Sequence, residues 1–267
     1  KVLALFPHFK QGKKTDEAIT AVFNQSVDEF DNAFQAYLHE RFQPQRAKVL
    51  WPDSKSISVS GNNQSQELAE LRRRAESDPQ DFFANLLYGV RLAKNGQNAE
   101  AEIYLKKAKA LFPEYVDVNN AYELLAEIYW QQTRRAEAVA ELEYLTAKNA
   151  KAYQAAARLA EWQLAMGDTV AANRATERAL AIFPYNLALQ RQHGQLLLAL
   201  RQPQGAVQAF RTVLALKPVD QADAYCWLAQ AYLRGGQKQQ AKKHALLALE
   251  IAPTFERAQE ILLQAVE

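Results

Sequence analysis

The sequence predicts an all-α solenoid of antiparallel helix pairs, and three observations carry the prediction. Alanine, leucine, glutamine, glutamate and lysine dominate a 267-residue chain that holds only nine glycines and nine prolines, which is a helix-forming vocabulary. Prolines recur at Pro79, Pro113, Pro184, Pro218 and Pro253, most of them 34 or 35 residues apart, with one interval close to double that and room inside it for a repeat that lacks its proline. Small residues keep the same period: Gly89, Ala126, Ala160, Gly194 and Ala229, then Ala101, Ala138, Ala172, Ala206 and Ala241. A small residue lets two helix backbones approach at a crossing, and a fixed period of this length is the mark of stacked helix pairs.

The first 43 residues have a different texture. Residues 1–6, KVLALF, read as the end of a helix. Thr15-Asp16 can cap a short helix carrying Ala18, Ile19, Val22 and Phe23. Ser26 and Glu29 have the spacing of a capping box, and the helix they open sets Phe30, Ala33, Phe34, Tyr37, Leu38 and Phe42 along one stripe at helical spacing. Such a stripe requires a partner surface. The chain opens on Lys1 without a signal-like segment and reads as a piece of a longer protein.

Residues 44–65 are polar, with two prolines and a glycine, and read as a linker. Trp51 within them either belongs to that linker or anchors it to the first repeat. Residues 66–80 form the second helix of a degenerate half-repeat. Full repeats are expected at 82–115, 119–152, 153–186, 187–220 and 222–255, the second preceded by a small insertion at Val116-Asp117-Val118 and ending without proline. Gly96, Gly167 and Gly236 fall at the turns between paired helices, where a left-handed cap is useful. Residues 256–267 supply the terminal capping helix that a solenoid requires.

These segments, among them LLYGVRLAKNGQNAEAEIYLKKAKALFP (86–113) and CWLAQAYLRGGQKQQAKKHALLALEIAP (226–253), resemble tetratricopeptide repeats. The resemblance implies a right-handed superhelix whose concave face, lined by the first helix of each repeat, binds a peptide or protein segment. The N-terminal residues resemble the C-terminal helices of gluzincin-type metallopeptidase domains of the peptidase-MA-like group. That second resemblance implies a parent protein with its zinc motif upstream, and leans toward a bacterial envelope protein.

The chain itself is expected to be no enzyme and to carry no cofactor or metal. His39-Glu40 begins an H-E-x-x-H pattern, but Gln43 stands where the second histidine would complete a zinc pair on one helix face. His39 is expected at a helix C-terminus, where a cation meets the negative dipole end. His8, His193 and His244 are isolated, His193 being expected between two packed helices. The lone Cys226 rules out an internal disulfide and reads as a small apolar filler. A net charge of +2 gives no field for nucleic acid, Glu67, Glu70 and Glu76 offset Arg72-Arg73-Arg74, and no apolar run is long enough to span a membrane.

Projected onto the repeat register, the expected groove residues are Asn120, Glu123, Glu127, Trp130 and Gln131, then Gln154 and Glu161, Arg191 and Gln195, and Asp223, Gln230 and Arg234. The first repeat contributes Phe83, Leu86 and Val90. Trp130 either anchors a ligand or packs between neighbouring first helices. The predicted role is an interaction scaffold for a protein or peptide partner. Alternatives are a structural or regulatory part of a zinc metallopeptidase, and self-association through the N-terminal helices.

Overall fold

A computed structural model describes residues 2–48 and 64–266, and among these residues every regular element is helical. A 3-10 turn at Val2–Leu5 leads into α1 (Phe6–Lys10), α2 (Thr15–Phe23) and α3 (Val27–Lys48). Ala18 and Ile19 are buried where α2 meets its neighbours, and Phe23 packs on Phe30 with ring centroids 4.8 Å apart. Thr15 is the first helical residue of α2 and Lys14 its cap, with the Glu17 carboxylate accepting from the Lys14 backbone N–H at 3.0 Å. Ser26 and Glu29 close a reciprocal capping box: the Glu29 N–H donates to Ser26 Oγ at 3.2 Å, and the Ser26 N–H to Glu29 Oε2 at 2.8 Å.

Helix α3 departs from the sequence reading at its far end. It continues through Pro44 to Lys48, so the stretch expected as linker from residue 44 begins as helix. The same extension leaves His39 in mid-helix, far from the negative terminus that was its expected setting. Residues 49–63, including Trp51, lie outside the described residues.

The repeats follow as α4 (Gln64–Ser77), the pair α5 (Phe82–Lys94) and α6 (Asn98–Leu111), α7 (Ala121–Gln131) and α8 (Arg135–Lys148), α9 (Tyr153–Ala165) and α10 (Thr169–Ile182), α11 (Leu187–Ala199) and α12 (Pro203–Ala215), α13 (Gln221–Arg234) and α14 (Lys238–Ile251), and finally α15 (Glu256–Val266). Local chemistry sets the helix starts. Asp81, Asn120, Asn186 and Asp220 each stand at the N-cap of a first helix and accept from a backbone N–H three residues on, satisfying a donor with no partner inside the helix.

Within each pair the periodic small residues sit at the crossing. Ala101, Ala126, Ala138, Ala160, Ala172, Ala206, Ala229 and Ala241 are wholly buried. A Cβ added at Gly194 would stand 2.6 Å from the Phe210 ring, and at Gly89 2.8 Å from Leu105 Cγ. The turns between paired helices all use one residue in the left-handed region: Gly96, Gly167 and Gly236, but Thr133 (φ 62) and Arg201 (φ 57) in the two repeats without glycine there.

Adjacent repeats are tied by bonds that themselves span about one period. Lys109 pairs with Glu141, Arg134 with Glu102, Asn149 Nδ2 donates to the Val116 carbonyl at 2.7 Å, and Asn186 Nδ2 to Tyr153 Oη at 2.9 Å. At the C-terminal end, α15 buries Ala258, Ile261 and Ala265.

Candidate functional site: the inner face and a cleft at its edge

The first helices stand side by side, and side-chain contacts between them define the inner face. Trp130 on α7 stacks on Trp162 of α9, centroids 4.3 Å apart and rings 2° from parallel, while the Arg135 guanidinium lies 3.7 Å from the Trp130 centroid. A parallel indole and a cation at these distances cannot share one side of a ring, so Trp130 is sandwiched. Of its two sequence readings, packing between neighbouring first helices is the one realised. Arg158 of α9 pairs with Glu127 and reaches Glu123 at 3.9 Å. Farther along, Arg191 on α11 pairs with Asp223 on α13 at 3.4 Å, and Arg257 on α15 approaches Asp223 at 3.9 Å while covering the Trp227 ring at 3.5 Å.

These pairs change what the projected residues offer. Glu123 and Glu127 are met by Arg158 of the next repeat, and Arg191 and Asp223 pair with each other across α11 and α13, so their charges are offset across repeats. Asn120 is buried, its Oδ1 accepting the Glu123 N–H and its Nδ2 donating to the Asp117 carbonyl, each at 2.9 Å. It is a cap, and only its surface contributes to the groove. Gln131 accepts from Asn98 Nδ2 at 2.7 Å. Gln154, Glu161 and Arg234 are exposed, and Gln195 and Gln230 half-buried. Phe83, Leu86 and Val90 of the first repeat are buried and unavailable as an open surface.

Sequence reasoning missed Arg158, Trp162 and Arg257. Arg158 falls between the two projected positions of its repeat, Gln154 and Glu161, and Arg257 belongs to the capping helix, which a repeat register does not cover. Both are recognisable only once the neighbouring helix is in place.

A cleft of about 830 Å³ opens where this face meets the inter-repeat loops, bounded by the insertion at 112–120 and by residues 145–155. Tyr115, Val116, Val118, Leu145 and Tyr153 give it an apolar lining. Glu114, Asp117 and Glu123 stand on one side, with Lys148 and Lys151 across from them, and Gln154 completes the wall. The insertion is fixed before any ligand arrives: Tyr122 Oη donates to the Pro113 carbonyl at 2.6 Å, Tyr115 Oη to the Val118 carbonyl at 3.1 Å, and Asn149 clamps Val116. A preformed wall lowers the ordering cost of binding.

The titratable groups raised by the sequence show no catalytic arrangement. Burial holds His193 below the usual histidine range against the opposing pull of Glu177 3.6 Å away, and burial, with Lys243 and Arg211, does the same to His244. Burial raises the Cys226 thiol to about 11, which keeps it protonated at neutral pH. His39 and Glu40 are exposed on α3. Among the described residues no group of three or more histidines, cysteines, aspartates or glutamates could hold a metal ion, and no helix is long and apolar enough to cross a membrane.

Residues 191–254 match the tetratricopeptide repeat family. No curated protein sequence matches the chain. Among solved structures, the chain is similar to YrrB, described as a TPR protein with an unusual peptide-binding site, at 17% identity and a TM-score of 0.55, over 71% of this chain and 96% of that one. It is also similar to MamA (20% identity, TM-score 0.48, 63% and 90% of the two chains) and to pilF of Pseudomonas aeruginosa (18%, 0.45, 89% and 99%). The fold is therefore an all-α tetratricopeptide-repeat superhelix, an architecture that serves as a protein-interaction scaffold.

Proposed function

We propose that this chain is a non-catalytic scaffold that binds a peptide or protein segment along its inner face, with the cleft between the 112–120 insertion and residues 145–155 as the principal subsite. The observation that carries the reading is the cleft itself: a preformed, largely apolar recess of about 830 Å³ with charged rims of both signs, at the edge of a face lined by first helices. Apolar recesses with a few polar groups are where ligands gain affinity. Tyr153, Tyr115 and Val118 supply the apolar contact, Gln154 and Lys151 the polar rim, and Asn120 holds the wall in place. Glu161, Gln195, Gln230 and Arg234 extend the surface along the chain. Because Glu123, Glu127, Arg191 and Asp223 are paired across repeats, a ligand here is selected by its apolar side chains more than by its net charge.

The test uses random dodecapeptides selected on the immobilised chain, with the best binder measured by calorimetry. Gln154→Arg and Lys151→Glu, both exposed, are expected to weaken it by about tenfold, while Lys242→Glu on α14 leaves it unchanged. Selected peptides indifferent to the cleft substitutions would refute the assignment.

The exposed stripe on α3 supports a second reading. Phe34, Tyr37 and Phe42 are each between 44% and 49% exposed on one helix, a larger apolar surface than a free helix ordinarily shows to water. As the metallopeptidase resemblance implies, this stripe then docks these helices on another domain, or on a second copy of the chain. A monomer in light scattering at high concentration counts against the second-copy version.

A further inference from the structure

On the outer side of the solenoid, the second helices α8 and α10 stand apart over a trough floored by α9. Two adjoining recesses, about 310 and 600 Å³, meet at Ala147 and Arg178. The walls are short side chains, among them Ala147, Ala150, Ala171 and Ala175, with Ile182 at one end. Small residues alone only make space. Two further observations say what the space asks for.

The first is charge. Arg174 and Arg178 lie one turn apart on the same face of α10, an arrangement that is mildly repulsive, and neither forms an ion pair among the described residues; Arg178 donates only to Thr146 Oγ1, at 3.2 Å. One gap earlier, between α6 and α8, the second helices are joined by the Lys109–Glu141 bridge. Counted from the crossing alanines Ala138 and Ala172, Thr146 and Ala175 stand where Lys109 and Glu141 stand in that earlier gap, so the bridge is not repeated between α8 and α10. Glu143, which lines the smaller recess, accepts from Gln163 Nε2 at 3.0 Å, and Glu177 from Asn173 Nδ2 at 2.9 Å; neither carboxylate pairs with Arg174 or Arg178.

The second is an orphaned acceptor. Gln163 lines the smaller recess, is 95% buried, and its Oε1 has no hydrogen-bond partner. A buried acceptor left unpaired is costly, and a donor brought by a ligand would relieve it.

We propose that this outer trough is a second docking site, for an acidic segment of a partner protein, with an aspartate or glutamate carboxylate between Arg174 and Arg178. A backbone N–H of the segment meets Gln163 Oε1, and an adjoining apolar side chain fills the alanine-lined recess toward Ile182. Paired guanidinium groups suit a planar carboxylate. The larger recess adjoins the proposed peptide cleft and shares Asn149, Ala150 and Ala152 with it, but Arg174, Arg178 and Gln163 lie outside that cleft, so the proposal does not depend on that reading.

The probes are acetylated, amidated octapeptides with a central Glu-Leu or Asp-Leu, compared with their Gln-Leu, Asn-Leu and Lys-Leu counterparts, by fluorescence anisotropy on the intact chain. Acidic peptides are expected to bind at least about tenfold tighter than neutral ones at low salt, and to lose that advantage on Arg174→Glu and Arg178→Glu. The Arg174→Glu chain gains an internal partner in Arg178, so its Tm should hold or rise, which separates lost binding from lost fold. Gln154→Arg in the groove should leave the acidic peptides unaffected. The proposal is overturned if acidic and neutral peptides bind alike, if neither binds, if the arginine substitutions leave acidic-peptide affinity intact, or if a short oligonucleotide or inorganic phosphate displaces the acidic peptide at lower concentration than free glutamate-containing peptide does.

Discussion

Thr133 and Arg201 occupy the position that glycine fills in the other repeats, and both adopt the left-handed backbone there. For a residue with a Cβ that conformation costs about 1–2 kcal/mol, and a β-branched threonine tolerates it worst. Thr133→Gly should therefore stabilise the chain by about 1 kcal/mol, after allowing for the greater freedom glycine gains in the unfolded state; a urea midpoint unchanged or lowered would show that the turn carries no such strain. The same scale explains where the sequence misled. Trp130 was readable either as a groove anchor or as packing between first helices, and which applies depends on Trp162 of α9 and on Arg135 at the start of α8. Asn120 was readable as a groove amide, yet the cap it makes uses its polar atoms. A register gives the direction of a side chain, and its availability depends on neighbours that the register does not supply.

At the scale of helices, the periodic small residues were the strongest signal in the sequence, and the reason is steric. Each marks a crossing where the partner helix leaves no room for a side chain, as the Gly194 contact with Phe210 shows. Gly194→Ala would gain up to about 1 kcal/mol in helix propensity against an overpacking cost of about 1–3 kcal/mol, because the ring it meets is fully buried and has little freedom to retreat. The expected outcome is a net loss of about 1–2 kcal/mol in urea unfolding, partly recovered in Gly194→Ala with Phe210→Leu; a stabilised Gly194→Ala would mean that α11 and α12 cross less closely than described. Of the helix starts, the Ser26–Glu29 box was legible, while the caps Asp81, Asn186 and Asp220 were not singled out and Asn120 was projected into the groove. The end of α3 was not legible, since Pro44 and the polar residues after it look like a stop and the helix passes through them.

Across the whole molecule, the period accounts for the stacking, for the hydrogen bonds that bridge neighbouring repeats, and for the inner face as a continuous surface. Neither recess could be read in advance. The cleft depends on how the 112–120 insertion folds back and is pinned, and the trough is made by side chains that alanines lack, so no motif announces either. The buried core is likewise discontinuous: one cluster runs from Ala75 to Ala175, and separate clusters follow in the later repeats. Gln163, Asn173 and Thr176 are buried polar residues of α9 and α10. A solenoid of this kind offers partner surfaces repeat by repeat, and the inner-face cleft is the one proposed to take the ligand. Hydrogen–deuterium exchange of the intact chain with and without its selected dodecapeptide tests that most directly. Protection is expected in residues 112–123 and 145–155; protection confined to other repeats, or to the outer faces of α8 and α10, would overturn the cleft assignment.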